Sequence, residues 1–490
     1  MAPAFRSHSQ VALCALAAWL LMSGGVAQLH QHQELFPSGR SCFCKLGEAV
    51  DECACQVDSV DHFNNQKLYP LMQALLQKDF FRYYKVNMDR PCPFWESGRE
   101  CVSRECGIEN CDDQVPLGLK KPPAMAAVGS GDEKRKLSSS AASCGEQQKT
   151  SEDEEEEGSN EFDPLDTTIS QAAKAQFLAW AEHDDAENKF CDVGDERSED
   201  MHYVDLSRNP ERYTGYKGNS AQLVWKSIYS ENCFKPHPKF DKNFLLHPTV
   251  TGLCLEKRVF FRLISGLHTS ITISIAAHNY QPDSGPAAGL TGGGGGRWTR
   301  NVEMFKGRFS PETTWGEGPQ RLKNLYFAYL LELRALRKAA PYLRTELFYT
   351  GDEEQDADTR LAVAQLAALL ESLDSNRYFD ETNMFQYGDA NGRQLKEEFR
   401  QHFFNISRIM DCVDCDKCRL WGKVQAHGMG TALKILFSSS PAVAGAPPFQ
   451  LTRNDVVALF QSLGRFAASI REVEEFRKIL DPDYQSTRSS

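Results

Sequence analysis

Apolar residues recur along this chain mainly with the helical period. Leu322, Leu325, Tyr329, Leu333 and Leu336 fall on one stripe, predicting a helix of about five turns. Similar stripes run from Leu361 to Leu373 and from Val456 to Leu480. Alternation of period two is scarce. Thr269 to Ala276 hints at it, but Cys254 to Tyr280 reads equally well as one long helix. The expected fold class is mainly α, and no internal repeat of solenoid length is evident.

One apolar run and three polar stretches fall outside this pattern. At the start, Arg6 and His8 precede the apolar run Val11 to Met22 and the small residues Ser23 to Ala27, the layout of a secretory signal peptide. Cleavage is expected near Gln28, with residues 1–27 removed; the remaining length, 28–490, could hold two or more average domains, although large single domains of this size exist. The run is too short for a spanning helix, which needs roughly 20 apolar residues. The polar extremes are a Pro, Lys and Ser-rich stretch from Lys120 to Ser151, the acidic run Glu152 to Glu157, and the glycines Gly292 to Gly296. They predict mobile loops over 120–165 and 285–298. The glycine run lacks the GxGxxG spacing and the strand–helix setting of a dinucleotide-binding turn.

The formal charge of −12 removes nucleic acid as a partner, because no basic stripe is present to displace counterions. Entry into the secretory pathway changes the reading of the 16 cysteines, since an oxidising compartment lets disulfides persist. Cys14 lies in the leader, so the mature chain keeps 15, and an odd count leaves one thiol without a permanent partner.

The remaining cysteines fall into three groups and four outliers, Cys144, Cys191, Cys233 and Cys254. Cys42, Cys44, Cys53 and Cys55 form two CxC pairs, suited to nested bridges, with a four-thiolate zinc site as the rival reading. In the second group, Cys106 stands five residues from both Cys101 and Cys111, with Cys92 upstream. Two equally spaced partners suit a cysteine passed between sulfurs, although two static staples suit the same spacing. The third group is Cys412, Cys415 and Cys418. Cys415 and Cys418 form a CxxC at the start of a helix-like run to Phe437, where free N–H groups and the helix dipole stabilise a thiolate. Iron–sulfur ligation also uses such spacing but lacks a nearby fourth ligand here.

A resemblance then becomes specific. Cys42 to Cys55, Phe80 to Asn87, Arg90 to Trp95, Pro210 to Gly218, Ser265 to His268, Gly316 to Pro319 and Cys415 to Lys423 together resemble the endoplasmic reticulum oxidoreductin family, in the family's order. The resemblance implies a large helical domain with a flavin-binding bundle core, a disulfide-tied N-terminal segment and long loops. It implies a monomeric thiol oxidase of the endoplasmic reticulum lumen, with peripheral attachment to the membrane's lumenal face. Such an enzyme uses FAD to re-oxidise protein disulfide isomerase and related thioredoxin-fold proteins, reducing oxygen to hydrogen peroxide.

Residue by residue, it implies that Cys101 and Cys106 are the shuttle pair and that Cys415 and Cys418 are the inner pair, with Cys418 nearer the flavin. Arg212, Thr214, Trp225, Ser265, His268, Arg308 and Arg321 would hold FAD: guanidinium forks suit a pyrophosphate and an indole stacks on a flat ring. Cys101–Cys144 and Cys106–Cys111 would form a self-inhibited state. Cys42–Cys55, Cys44–Cys53, Cys92–Cys412 and Cys233–Cys254 would be structural, leaving Cys191 as the odd thiol. Asn405, in the sequon Asn405-Ile406-Ser407, is a candidate glycosylation site. The C-terminal residues carry no KDEL-type signal, so retention is expected to depend on isomerase-like partners.

Two other classes compete with an oxidase. A secreted non-enzymatic protein stapled by its cysteines has no reason to give Cys106 two partners or to start a helix with CxxC. A thioredoxin-like isomerase would need a βαβ setting around that motif, which the pattern does not provide.

Overall fold

The computed structural model describes residues 57–96, 107–120, 189–211 except 195 and 197, 219–234, 254–282, 296–372 except 345 and 347, 381, 384–385, 390–438 and 451–481. Helix α1 (Val57–Phe63) continues through a π-type turn (Asn64–Leu68) into α2 (Tyr69–Leu76), and α3 (Asp79–Arg82) runs into β1 (Tyr83–Val86). Short α4 (Leu117–Lys120) and β2 (His202–Asp205) come before α5 (Asn219–Glu231) and the long α6 (Leu255–Ala277). Strands β3 (Asn279–Pro282) and β4 (Gly296–Thr299) lead through α7 (Val302–Phe309) to α8 (Glu317–Leu343) and α9 (Glu353–Glu371). Helices α10 (Ala390–Ile409), α11 (Asp416–Phe437) and α12 (Arg453–Leu480) complete the described chain.

The fold is mainly α, and the described residues fall within one unit, Cys42–Ser490. The stripe Leu325, Tyr329, Leu333, Leu336 is the buried face of α8. On α9 the buried face is Val363, Leu366, Ala367 and Leu370, while Leu361 points outward at 59% exposure and Leu373 lies outside the described residues. The ambiguous stretch after Cys254 is helical to Ala277, and Tyr280 belongs to β3. That helix, α6, is long and apolar enough to cross a membrane. Most of it is buried inside the protein, so α6 is a core helix here. β4 also trims the expected 285–298 loop, because Gly296 to Trp298 pair with β3.

Caps set the helix starts. Asp352 accepts hydrogen bonds from the backbone N–H groups of Glu354 and Gln355, Asn301 from that of Met304, and Thr452 and Asp455 form a capping box at α12. The last turn of α11 is closed by two lysines, Lys338 Nζ on Leu436 O (3.0 Å) and Lys396 Nζ on Phe437 O (2.9 Å).

The most extensive helix contacts are α6 with α8 and α11 with α12. Both depend on a missing side chain. A Cβ at Gly266 would overlap the backbone of Asn324, and one at Gly428 would overlap Ala458 O. The first lies inside the string Ser265 to His268, so that string serves helix packing as well as chemistry. Two small antiparallel ribbons decorate the bundle, β1 with β2 (Tyr83 opposite Asp205) and β3 with β4 (Asn279 opposite Thr299).

Candidate active site

The CxxC sits where sequence placed it, at the start of α11. Cys415 is the N-cap, in extended backbone (φ −80°, ψ 117°), and its Sγ accepts a hydrogen bond from the Cys418 N–H at 3.4 Å. The two sulfurs lie 2.6 Å apart and both side chains are buried. Their environments differ. The Cys415 thiol is held below the ordinary cysteine range by a hydrogen bond from Cys418, aided by the Cys418 and Lys417 N–H groups, while burial opposes the shift. Cys418 is pushed far up by burial, by Cys415 and by the charge of Glu211. The proton of the pair therefore favours Cys418 over Cys415.

The approach to this pair is pinned by the bridge Cys92–Cys412, 320 residues apart in sequence. Arg419 crosses the same junction, donating to Val413 O and to Met88 O at 2.7 Å each, and Lys423 pairs with Asp411. An open cleft of about 530 Å³ lies beside the bridge, lined by Arg90, Phe94, Trp95, Asp411 and Arg419 among others. Its walls continue the string Arg90 to Trp95.

Five of the seven residues expected to hold a flavin are described. Trp225 on α5 stacks on His268 of α6, with ring centres 3.6 Å apart and planes within 15°. Tyr229, one turn after Trp225, shares a hydrogen bond with His268 Nδ1 (3.1 Å) and also bonds Ser265. Asn324 donates to Ser265 Oγ at 2.9 Å, and Arg321 donates to Arg308 O at 3.2 Å and to Glu317 at 2.6 Å. Burial, with Arg308 and Arg321 close by, pushes the imidazole of His268 down to about 3, so it is neutral at physiological pH. The structure therefore brings Trp225, Ser265, His268, Arg308 and Arg321 together. Arg212 and Thr214 lie outside the described residues.

Sequence reasoning did not pick out Tyr229 and Asn324. Tyr229 follows Trp225 by four residues and Asn324 follows Arg321 by three, so each shares its neighbour's helix face, and that spacing was the available signal. It also passed over Glu211, buried beside Gln425 and Arg465.

Of the other cysteines, Cys42, Cys44, Cys53, Cys55, Cys101, Cys106 and Cys144 lie outside the described residues. Cys111 is buried, bonded through both N–H and Sγ to Tyr203 O, and burial lifts its thiol to about 11. Cys233 and Cys254, expected to bridge, are separate thiols in the structure. Burial raises the Cys233 thiol to about 12 and the half-buried Cys254 thiol above its ordinary value, which favours the protonated form in both. Cys191 is also a thiol, fully buried against α11, donating to Ala426 O at 2.9 Å. Asn405 is half-buried on α10, accepting from Gln401, while Ser407 Oγ donates to Phe404 O and accepts from the Asp192 N–H.

Comparison with known proteins identifies the family. The family model described as Endoplasmic Reticulum Oxidoreductin 1 (ERO1) matches residues 67–473. The chain is 55% identical over 454 residues to endoplasmic reticulum oxidoreductin-1 of Caenorhabditis elegans, covering 91% of each chain. It is 40% identical over 487 residues to ERO1-like protein alpha of Homo sapiens, covering 95% of this chain and 96% of that one. A solved structure of a mutant of S. cerevisiae Ero1p superposes with a TM-score of 0.54 at 27% identity, covering 86% of this chain and 98% of that chain. By sequence along nearly its whole length and by fold, the chain belongs to the endoplasmic reticulum oxidoreductin 1 family.

Proposed function

We propose that this chain is a lumenal, FAD-dependent thiol oxidase that makes disulfides de novo. Electrons enter from the dithiol of protein disulfide isomerase at Cys101 and Cys106, pass to Cys415 and Cys418 by thiol–disulfide exchange, and end on oxygen as hydrogen peroxide. The observation that carries this reading is the placement of Cys415 and Cys418 at one buried helix start, their sulfurs 2.6 Å apart, with Cys415 as the N-cap where the Cys418 N–H favours its ionised form while burial disfavours that of Cys418. A staple has no use for such an asymmetry; an exchange reaction needs one sulfur able to attack or be attacked and a second able to leave.

FAD, when bound, accepts the two electrons of the inner dithiol and delivers them to oxygen. The residues gathered around Trp225 suit such a group. The indole offers a flat apolar face, Arg308 and Arg321 bring positive charge appropriate to a pyrophosphate, and neutral His268 can hydrogen-bond without adding charge. Arg212 and Thr214 are assigned to the same site. Cys111, anchored to Tyr203, would hold Cys106 out of the shuttle when the two are bridged, and Cys101–Cys144 would complete that resting state.

The visible spectrum of the purified chain and its oxygen uptake with reduced protein disulfide isomerase test this reading. A bound-flavin spectrum with uptake abolished by Cys415→Ala is the expected result. A colourless folded protein that consumes no oxygen overturns it.

A further inference from the structure

Helices α5, α6 and α8 share a line of hydrogen bonds that begins at a buried guanidinium. Arg262, at 2% exposure, lies over the ring of Phe327, its Cζ 4.4 Å from the ring centre, and its Nη2 donates to Lys323 O at 3.3 Å. Its Nε donates to Asn324 Oδ1 at 2.9 Å, and Gln320 Nε2 donates to the same oxygen at 3.2 Å. A guanidinium has donors only, so the amide oxygen of Asn324 must face Arg262 and its NH2 must face the other way. That NH2 donates to Ser265 Oγ at 2.9 Å. The close approach of α6 to α8 at Gly266 lets so short a side chain reach both residues.

From Ser265 the direction carries on. Its oxygen accepts from Asn324, and among the described residues no carbonyl accepts its proton, so the proton goes to the remaining partner, the Tyr229 oxygen. Tyr229 then has its own proton to give, and His268 Nδ1 receives it at 3.1 Å. A neutral imidazole that accepts at Nδ1 carries its proton on Nε2. His268 Nε2 has no hydrogen-bond partner among the described residues, while Trp225 is stacked on the ring and Arg308 and Arg321 lie close by. We propose that Asn324, held by Arg262, is a positioning residue of the flavin site: it sets the tautomer of His268, so that Nε2–H is presented to an acceptor atom of the cofactor. The opposite tautomer would present a lone pair to a phosphate- and carbonyl-rich group and repel it. The inference rests on the oxidase reading for the identity of the ligand, but not for the tautomer.

Asn324→Asp tests the direction, because it keeps the shape of the side chain and reverses its role toward Ser265. A carboxylate only accepts, so it keeps Arg262 and draws the Ser265 proton to itself; Tyr229 then donates to Ser265, and His268 donates from Nδ1 to Tyr229. The full chain, freed of cofactor, is studied by nitrogen NMR of isotope-labelled histidine, with the His268 signal assigned by its loss in His268→Gln. The proton is expected on Nε2 in the native chain and on Nδ1 in Asn324→Asp. Release of bound FAD, followed by the rise in flavin fluorescence, is expected to be about 10-fold faster in Asn324→Asp, the loss of one hydrogen bond.

A proton on Nδ1 in the native chain overturns the proposal, and this measurement stands even if the variant fails to fold. So does a variant that keeps the proton on Nε2, whatever its grip on FAD, because weaker binding without a change of tautomer would make Asn324 a packing residue between α6 and α8. A tautomer that switches in a chain that binds no FAD would leave the line of hydrogen bonds standing and remove the oxidase reading instead.

Discussion

The imidazole of His268 lies flat on the indole of Trp225, and Tyr229 and Ser265 close the same group from two helices. Because His268 has its folded pKa depressed to about 3, the folded protein binds fewer protons there than the unfolded chain between about pH 3 and the usual histidine value near 6.5. Stability should therefore fall as pH drops through that window. The loss is about 3 kcal/mol, discounted because solvent reaches part of the ring. Urea unfolding at several pH values should show this slope in the native chain and a flatter one in His268→Gln. An equal slope in both would place the acid sensitivity elsewhere.

The inner pair predicts ordered reactivity. In the reduced protein, Cys415 should be alkylated at neutral pH well before Cys418, since the Cys415 thiol is held below the ordinary cysteine range and the Cys418 thiol is pushed far up. Peptide mapping after timed exposure to a small alkylating reagent measures the order directly. Cys415→Ala should reduce thiol oxidation to background. Comparable labelling rates for the two sulfurs would contradict the asymmetry.

The features legible in the sequence were those carried by local spacing. The stripes became α8, α9 and α12 because residues three and four apart must share a face, and the CxxC fell at a helix start because Cys415 can cap it. Long-range partners left no such mark. Glu211 meets Gln425 and Arg465 across more than 200 residues, and His427 meets Tyr84 across 343. Cys233 and Cys254 show the limit of carrying a pairing from family strings: they are thiols in the structure, and nothing in their spacing requires a bridge. Even α6, whose composition suits a membrane, is a core helix only because α8 and α12 cover it.

Asp455 ties three elements at the far face of α11. It accepts from His427 Nε2 at 2.6 Å, so His427 Nδ1 in turn accepts from the Tyr84 hydroxyl at 2.8 Å, and Lys434 lies 3.7 Å from the same carboxylate. Burial opposes its ionisation, but Lys434 and His427 outweigh burial and hold the carboxyl well below the usual range. A depressed acid contributes stability that is present above its unfolded value, near 3.9, and is lost as pH falls toward its folded value. Asp455→Asn should cost about 1–3 kcal/mol at neutral pH, weakening the charged hydrogen bond to His427 and leaving half-buried Lys434 without its counter-charge, and should flatten the stability loss below about pH 4. Denaturant melts at neutral and acid pH would show it, and a variant within 1 kcal/mol of the native chain at neutral pH would mean the network contributes little.

Cys191 and Gly430 should behave as one unit. The Cys191 sulfur rests against α11 where Gly430 has no side chain, and a Cβ at Gly430 would overlap that sulfur. Turning the sulfur away would give up its hydrogen bond to Ala426 O, and the Cys191 Cβ would still stand 3.3 Å from the added methyl. Gly430→Ala should therefore destabilise by about 1–3 kcal/mol despite the better helix propensity of alanine. Cys191→Ala removes the sulfur and should cost less. Combined with it, Gly430→Ala should lose most of its penalty, giving a coupling of about 1–2 kcal/mol in a double-mutant cycle of urea melts. Additive effects would show that the glycine serves some other approach. The same contact fixes the chemistry of Cys191: burial pushes its thiol far up, so in the folded chain it should resist alkylation while Cys415 reacts.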